Sequence, residues 1–188
     1  MSKVIGVLSY QGSVVEHMKS LSKIEDITPM EVKTLEGINS VDALIIPGGE
    51  STTISKLLKI FGLFEPLKKR IQEGMPVWGT CAGLILLANE IVGEQAHLQC
   101  MDIKVKRNAY GSQLDSFSCD YVIPEFSKKP LPLVFIRAPY IESVGKDVKV
   151  LCELDGHIVC ARQNNMLVTS FHPELTEDTT IHEYFCNM

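Results

Sequence analysis

The chain has 188 residues, of which 45% are hydrophobic and 22% are charged, and its formal net charge at pH 7 is −5. This length is typical of one domain, which we expect to span residues 1–188, and the composition argues against a disordered or fibrous protein. The basic residues are scattered, with the densest cluster at residues 68–70, so no nucleic-acid-binding surface is expected. We interpret that cluster as the basic end of a helix.

The start of the sequence leads directly into a strand-like segment at residues 4–8, without the features of a secretory signal peptide. No apolar run of membrane-spanning length follows, so we expect a cytoplasmic protein. The six cysteines show no CxxC pair and no metal-ligand spacing. Neither a disulfide framework nor a metal site is therefore predicted.

Strand-like and helix-like segments alternate through the first half of the chain. Apolar, β-branched runs predict strands at residues 4–8, 41–46 and 77–78. The helix-like stretches are residues 13–24, 52–61 and 82–92. This alternation indicates βαβ units, and hence an α/β fold in which helices cover both faces of a mostly parallel sheet.

A glycine pair lies in the segment 47–52 (PGGEST), between the second predicted strand and the helix that follows it. Two adjacent glycines allow backbone N–H groups to point into a pocket, and we expect the Gly49 amide to be an oxyanion donor. Ser51 or Thr52 is expected to cap the helix. The segment lacks the lysine and the spacing of a P-loop, which disfavours nucleotide hydrolysis.

The segment 76–84 (PVWGTCAGL) has the pattern of a nucleophile elbow, a sharp turn between a strand and a helix. Gly79 and Gly83 would permit the close backbone packing of such a turn, and Cys81 would lie at the helix N-terminus, where the dipole stabilises a thiolate. The amide of Ala82 would be the second oxyanion donor. Taken alone, Cys81 is equally well interpreted as a buried structural cysteine.

The second half of the chain contains strand-like segments separated by turn residues. They are residues 101–106, 119–123, 133–136, 148–152, 157–162 and 166–170. We expect them to extend the same sheet and to add antiparallel strands. A short helix is predicted at residues 177–185, with Thr176 as its N-cap.

A base and a carboxylate follow the last of these strands, in the segment 170–174 (SFHPE). In extended backbone, residues two apart face the same side, so Glu174 would reach the ring of His172. Glu174 would then fix the tautomer of His172 and leave its other nitrogen for Cys81. The segment alone is typical of a capped strand end, but together with the elbow it favours a Cys/His/Glu triad.

The three segments 47–51, 79–83 and 171–174, in this order, resemble the class I, triad-type glutamine amidotransferases. That resemblance implies a single-domain, flavodoxin-like, three-layer fold with a mostly parallel central sheet and additional antiparallel strands. It also implies hydrolysis of glutamine to glutamate and ammonia, without a metal or an organic cofactor.

Further segments resemble, more narrowly, the glutaminase subunits of pyridoxal 5′-phosphate synthase. They are residues 8–12 (LSYQG) with 16–17 (EH), 107–113 (RNAYGSQ) and 135–139 (FIRAP). The chain departs from that family at Tyr10, where ALQG is more usual than SYQG, and at Ser112, where FGRQ is more usual than YGSQ.

The resemblance implies a set of glutamine-binding residues and a protein partner. The implied residues are Gly49, Glu50, Ser51, Arg107, Ile136 and Arg137. A guanidinium suits the α-carboxylate of the substrate. The implied partner is a separate synthase subunit that accepts the ammonia in a hetero-oligomer.

Three alternatives stay open at this point. In the first, the chain is the glutaminase subunit of another synthase, such as imidazole glycerol phosphate synthase. In the second, it is a cysteine hydrolase that acts on peptides or esters. In the third, it is a non-catalytic regulatory subunit. None of the catalytic segments 47–52, 76–84 and 170–174 includes His17, His97, His157 or His182. We expect each of them to be a surface or packing histidine without a catalytic role.

Overall fold

The computed structural model describes residues 1–107 and 116–188. The first half contains, in chain order, β1 (Lys3–Leu8), α1 (Val14–Leu21), β2 (Ile27–Val32), α2 (Leu35–Ser40), β3 (Ala43–Ile46), α3 (Ser51–Ile60), α4 (Phe64–Gln72), β4 (Val77–Thr80), α5 (Ala82–Leu87) and β5 (Ala88–Ile91). The second half contains β6 (Met101–Lys106), β7 (Ser116–Tyr121), β8 (Leu131–Ile136), β9 (Tyr140–Val144), β10 (Lys149–Leu154), β11 (His157–Gln163), β12 (Met166–Thr169), a 3₁₀ turn (Pro173–Leu175) and α6 (Thr180–Cys186).

Ten of the strands in the described part of the chain form one sheet, in the order β2-β1-β3-β4-β12-β11-β9-β6-β5, with β10 paired to β11. The five neighbouring strands β2, β1, β3, β4 and β12 are parallel to one another. Strand β11 pairs antiparallel with β12, β9 and β10. Strands β7 and β8 form a separate antiparallel pair. The predicted fold class, with a mostly parallel sheet and additional antiparallel strands, is confirmed.

Both faces of the sheet are buried, which explains the continuous apolar runs in the sequence. In β3, Leu44 and Ile46 belong to the core on one face, and Ala43 and Ile45 belong to the core on the other. This division follows the alternation of side chains along a strand. Trp78 of β4 is fully buried in the second core.

The predicted helix at residues 82–92 is wrong beyond Leu87. Helix α5 ends there and the chain continues as β5, because Ala88 adopts an extended conformation with φ −61° and ψ 142°. The carbonyl groups of Leu86 and Leu87 accept hydrogen bonds from the amides of Leu98 and Cys100. Partners from a distant loop therefore end the helix, and no local sequence signal marks that point.

The last helix begins later than predicted. Helix α6 covers Thr180–Cys186 with Thr179 at its N-cap, whereas Thr176 forms a turn in which its hydroxyl donates to the carbonyl of Pro173.

No helix among the described residues is both long and apolar enough to cross a membrane.

Candidate active site

Cys81 lies in a strained turn between β4 and α5. Its backbone has φ 50° and ψ −97°, a conformation that L residues rarely adopt, and its amide donates to the carbonyl of Thr169 at 2.8 Å. The turn depends on glycine, because a Cβ at Gly83 would lie 2.2 Å from the carbonyl oxygen of Ile46. The predicted elbow geometry is thus present, and Cys81 is at the start of a helix whose residues are all buried.

His172 reaches Cys81 because their strands are neighbours in the sheet. Strands β4 and β12 pair in parallel, with Thr80 opposite Thr169, so both chains leave the sheet at the same edge. The amide of His172 donates to the carbonyl of Val134 at 2.8 Å, which fixes the backbone of the base. The Cys81 thiol is close enough to the His172 ring to raise its pKa.

Glu174 accepts a hydrogen bond from His172, as predicted, but through a different backbone geometry. The distance between His172 Nδ1 and Glu174 Oε1 is 2.6 Å. Residues Pro173–Leu175 form a 3₁₀ turn rather than the extended segment that was expected, and this turn brings the two side chains together. Ser13 also donates to Glu174 Oε1, at 2.9 Å.

The pKa values of the pair favour an imidazolium and a carboxylate. Burial alone would lower the pKa of His172, but its interactions with Cys81 and with the Glu174 carboxylate raise it to about 10. Burial would raise the pKa of Glu174, whereas His17 and the hydrogen bond and charge of His172 lower it to about 2. At neutral pH, His172 is therefore a proton donor held by an ionised carboxylate.

The glycine loop after β3 packs directly against His172 and against the loop before α1. A Cβ at Gly48 would lie 2.4 Å from His172 Cε1, so only glycine fits there. The carbonyl of Gly48 accepts from the amide of Ser13 at 3.0 Å, and the amide of Glu50 donates to Gln11 Oε1 at 2.7 Å. Neither Ser13 nor Gln11 is predicted from the sequence to support the site, although Gln11 lies in the segment 8–12 (LSYQG).

A cavity of about 460 Å³ opens beside Cys81 and His172. Its lining includes every predicted glutamine-binding residue, namely Gly49, Glu50, Ser51, Arg107, Ile136 and Arg137, and also Ala82. The structure therefore brings Cys81, His172 and the residues predicted to bind glutamine into one pocket, with Glu174 behind His172. Ile136 and Leu175, each 41% exposed, lie at its edge.

Arg107 is held in the cavity by two carboxylates. Its guanidinium lies 3.0 Å from Glu50 Oε1 and 2.9 Å from Glu94 Oε2. Glu50 also caps α3 by accepting from the amides of Thr52 and Thr53, which corrects the expectation that Ser51 or Thr52 is the cap. Burial would raise the pKa of Glu50, but hydrogen bonds from Thr53, Thr52 and Arg107 lower it to about 2.

His17 and His182 are fully buried behind the triad, whereas His97 and His157 are partly exposed. In the described part of the chain, no group of three or more His, Cys, Asp or Glu side chains is arranged to hold a metal ion. The segment 108–113, including Ser112, lies outside the described residues.

The fold and the site together define a class, the α/β proteins that carry a cysteine at a nucleophile elbow beside a histidine–carboxylate pair. Comparison with family models gives a match over residues 7–188 to the SNO glutamine amidotransferase family. The chain belongs to this family.

Relatives and solved structures agree with that assignment. The chain is 56% identical over 182 residues to the pyridoxal 5′-phosphate synthase subunit PdxT of Clostridium botulinum, covering 96% of this chain and 94% of that protein. It is 57% identical over 182 residues to PdxT of Clostridium beijerinckii, covering 96% and 95% of the two chains. A crystal structure of a glutamine amidotransferase superposes with a TM-score of 0.90 at 44% identity, covering 97% of each chain.

A more distant structure shares the fold alone. PurLQS from Thermotoga maritima superposes with a TM-score of 0.64 at 15% identity, covering 100% of this chain and 99% of that one.

Proposed function

We propose that this chain is the glutaminase subunit of a two-part pyridoxal 5′-phosphate synthase. It hydrolyses L-glutamine to L-glutamate and ammonia and delivers the ammonia to a separate synthase subunit. The arrangement of Cys81, His172 and Glu174 at one edge of the sheet carries the proposal of chemistry. The relatives named as subunits of pyridoxal 5′-phosphate synthase support the proposal of the partner, and they disfavour imidazole glycerol phosphate synthase.

The reaction begins when the Cys81 thiolate attacks the carboxamide carbon of glutamine. The amides of Gly49 and Ala82 stabilise the oxyanion of the tetrahedral intermediate. His172, protonated next to Glu174, gives its proton to the leaving nitrogen, so the C–N bond breaks and ammonia departs. The product of this half-reaction is a glutamyl thioester on Cys81.

Water completes the cycle. His172, now neutral, removes a proton from the attacking water, and the second tetrahedral intermediate collapses to glutamate and the Cys81 thiolate. Glu174 stabilises the imidazolium each time it forms. The residues of this chain thus complete the hydrolysis, and the proposed mechanism uses no cofactor.

The polar groups of the cavity match a free amino acid. In the proposed binding mode, Arg107 and Arg137 attract the α-carboxylate, and Glu50 attracts the α-ammonium group. Ser51 and the backbone at Gly49 and Ile136 complete the pocket. Since a peptide substrate lacks one or both of these charges, the arrangement favours glutamine over peptides and esters.

We also propose that the whole of residues 1–188 is one glutaminase domain and that it acts in the cytoplasm. Ammonia is protonated in water at neutral pH, so the product has to reach the acceptor before it escapes to solvent. A stable or transient complex with the synthase subunit meets that requirement.

The test measures glutamate release from glutamine by the protein and by Cys81→Ala, each with and without the synthase subunit. Glutamate release that is stimulated by the synthase subunit and lost in Cys81→Ala would support the proposal, and Cys100→Ala is the matched control that should stay active. Glutamine labelled with ¹⁵N at the amide should transfer its label to pyridoxal phosphate. Absence of glutaminase activity under every condition would refute the proposal.

A further inference from the structure

Two buried histidines form a polar chain behind the triad. His17 projects from α1 and His182 from α6, and both are 0% exposed. His17 Nδ1 lies 2.9 Å from His182 Nε2, and His17 Nε2 lies 3.6 Å from Glu174 Oε2 and 3.3 Å from Thr80 Oγ1. The pair thus reaches the carboxylate of the triad from the side opposite His172.

Glu174 presents two unequal oxygen atoms to its surroundings. Oε1 accepts from both His172 and Ser13. Oε2 is buried and, among the described residues, has no partner at hydrogen-bond distance. A buried carboxylate oxygen without a donor is unfavourable, so the approach of His17 Nε2 is the compensating interaction. At 3.6 Å, this interaction is electrostatic rather than a normal hydrogen bond.

Chemistry fixes the direction of the N–H groups along this chain. A carboxylate only accepts, so the hydrogen of His17 is on Nε2, between Thr80 Oγ1 at 3.3 Å and Glu174 Oε2 at 3.6 Å. A neutral His17 then has a lone pair on Nδ1, and His182 Nε2 must donate to it. His182 Nδ1 is left as an acceptor, which agrees with its having no partner in the described part of the chain.

The surroundings keep both histidines neutral. The titratable and charged groups that act on His17 are Glu174, His172, His182 and Glu16. Burial lowers the pKa of His17 more than Glu174 raises it, and burial together with His17 lowers the pKa of His182 to about 3. The two rings therefore act as oriented dipoles and do not exchange protons near neutral pH.

An aromatic wall holds the rings in place. Trp78 of β4 meets His17 edge-on at 5.5 Å and His182 at 4.8 Å between ring centroids. Its indole donates to Thr169 Oγ1 at 3.1 Å, so the wall is itself anchored to β12. The pair has little freedom to turn away from Glu174.

We propose that His17 and His182 are positioning residues for glutamine hydrolysis. His17 holds the Glu174 carboxylate through Oε2, so that Oε1 stays aligned with His172 Nδ1, and His182 fixes the tautomer of His17. This proposal rests on the proposed role of Glu174 in the triad. It assigns to two packing histidines a function that their sequence context does not reveal.

The kinetic test uses His17→Leu, His17→Gln and His182→Leu, each assembled with the synthase subunit. Loss of one orienting interaction should lower kcat by about tenfold in His17→Leu with little change in KM for glutamine. A glutamine side chain at position 17 can place its amide N–H about where the imidazole Nε2–H lies. His17→Gln should therefore recover most of kcat. His182→Leu should show a smaller loss, because His182 acts through His17.

Phe185→Leu is the control for a purely structural effect. Phe185 packs on the same Trp78 ring at 5.7 Å but is not part of the polar chain. This variant should lose stability and keep kcat. An equal loss of kcat in Phe185→Leu and His17→Leu, or no rescue by His17→Gln, would overturn the proposal.

A spectroscopic measurement separates this proposal from the glutaminase proposal. The ¹H resonance of His172 Nδ1–H reports the 2.6 Å bond to Glu174 and needs no substrate. It should shift in His17→Leu and stay unchanged in Phe185→Leu. An unchanged resonance in His17→Leu would refute the positioning role, whereas a shifted resonance in a protein inactive on glutamine would refute only the proposed function.

Discussion

The charge state of His172 depends on the two side chains on either side of it. Its pKa is raised to about 10 although burial acts in the opposite direction, and Cys81 and Glu174 are the causes. Glu174 remains when the thiol is removed, so the contributions of the two neighbours can be separated by mutation.

Cys81→Ala should lower the pKa of His172 relative to the unaltered protein. The variant removes the thiol, whose interaction with the His172 ring favours the imidazolium. An NMR titration of the His172 ring measures the change, with Cys152→Ala, another buried cysteine, as the control. The same titration curve in Cys81→Ala and in the unaltered protein would contradict the prediction.

Substitution of Arg107 should weaken the binding of glutamine more than it slows the chemical step. Arg107→Gln removes a guanidinium proposed to bind the α-carboxylate, and loss of a charge-assisted interaction should raise KM for glutamine by about 10- to 100-fold. Steady-state kinetics of the complex should show a much smaller change in kcat. Lys106→Gln, at the neighbouring exposed position, is the control. A surface change of this kind is expected to alter KM by no more than about twofold. A KM for Arg107→Gln within about twofold of the control would therefore argue against this binding mode.

At the scale of elements, the turn between β4 and α5 depends on how closely it approaches β3. A Cβ at Gly83 would meet the carbonyl group of Ile46, the last residue of β3, and this backbone atom cannot move aside as the end of a flexible side chain could. Gly62 offers a contrast, because a Cβ there meets nothing within 4 Å although φ is +70°.

Gly83→Ala should therefore lower the free energy of unfolding by about 3 kcal/mol, and Gly62→Ala by about 1 kcal/mol. The first cost is a steric clash, and the second is only the strain of a left-handed backbone. Urea denaturation of both variants measures the difference. Equal stability of Gly83→Ala and Gly62→Ala would contradict the close approach of Gly83 to the carbonyl group of Ile46.

The elements that the sequence predicts well are those whose determinants are local. The elbow around Cys81 is such a case, since its glycines, strand and helix lie within a few residues of one another. The end of α5 at Leu87 is the opposite case, because the amides of Leu98 and Cys100 define it. Similarly, Ser13 donates to Glu174 across most of the chain, so no spacing rule could indicate it.

The sequence predicts the candidate catalytic residues but not the residues that support them. Motifs identify Cys81, His172 and Glu174, and the structure brings them together at adjacent strand ends. The 3₁₀ turn at Pro173–Leu175 and the buried histidine pair depend on tertiary packing. The order of the strands, with β12 between β4 and β11, is likewise a property of the whole sheet.

For the whole molecule, the His172–Glu174 pair should make stability depend on pH. The pKa of His172 is raised from 6.5 to about 10, so its stabilising contribution is complete below pH 6.5 and is lost as the pH rises through 10. The pKa of Glu174 is lowered from 4.5 to about 2, so its contribution is complete above pH 4.5 and is lost as the pH falls through 2.

The difference in unfolding free energy between the protein and His172→Gln should thus be greatest between pH 4.5 and 6.5. It should decrease steadily as the pH rises towards 10. Urea unfolding at a series of pH values gives both curves. A difference that does not vary with pH would show that the pair is not ionised in the folded state.

The position of β12 also determines when the enzyme becomes active during its synthesis. Strand β12 is translated after the other strands, yet it lies between β4 and β11, and His172 follows it directly. A ribosome-bound chain that has emerged only as far as β11 therefore contains Cys81 without His172. Because proteins are synthesised from the N-terminus, glutamine hydrolysis starts only after β12 has inserted between β4 and β11. In the proposed mechanism, a chain that lacks β12 and His172 therefore releases no ammonia.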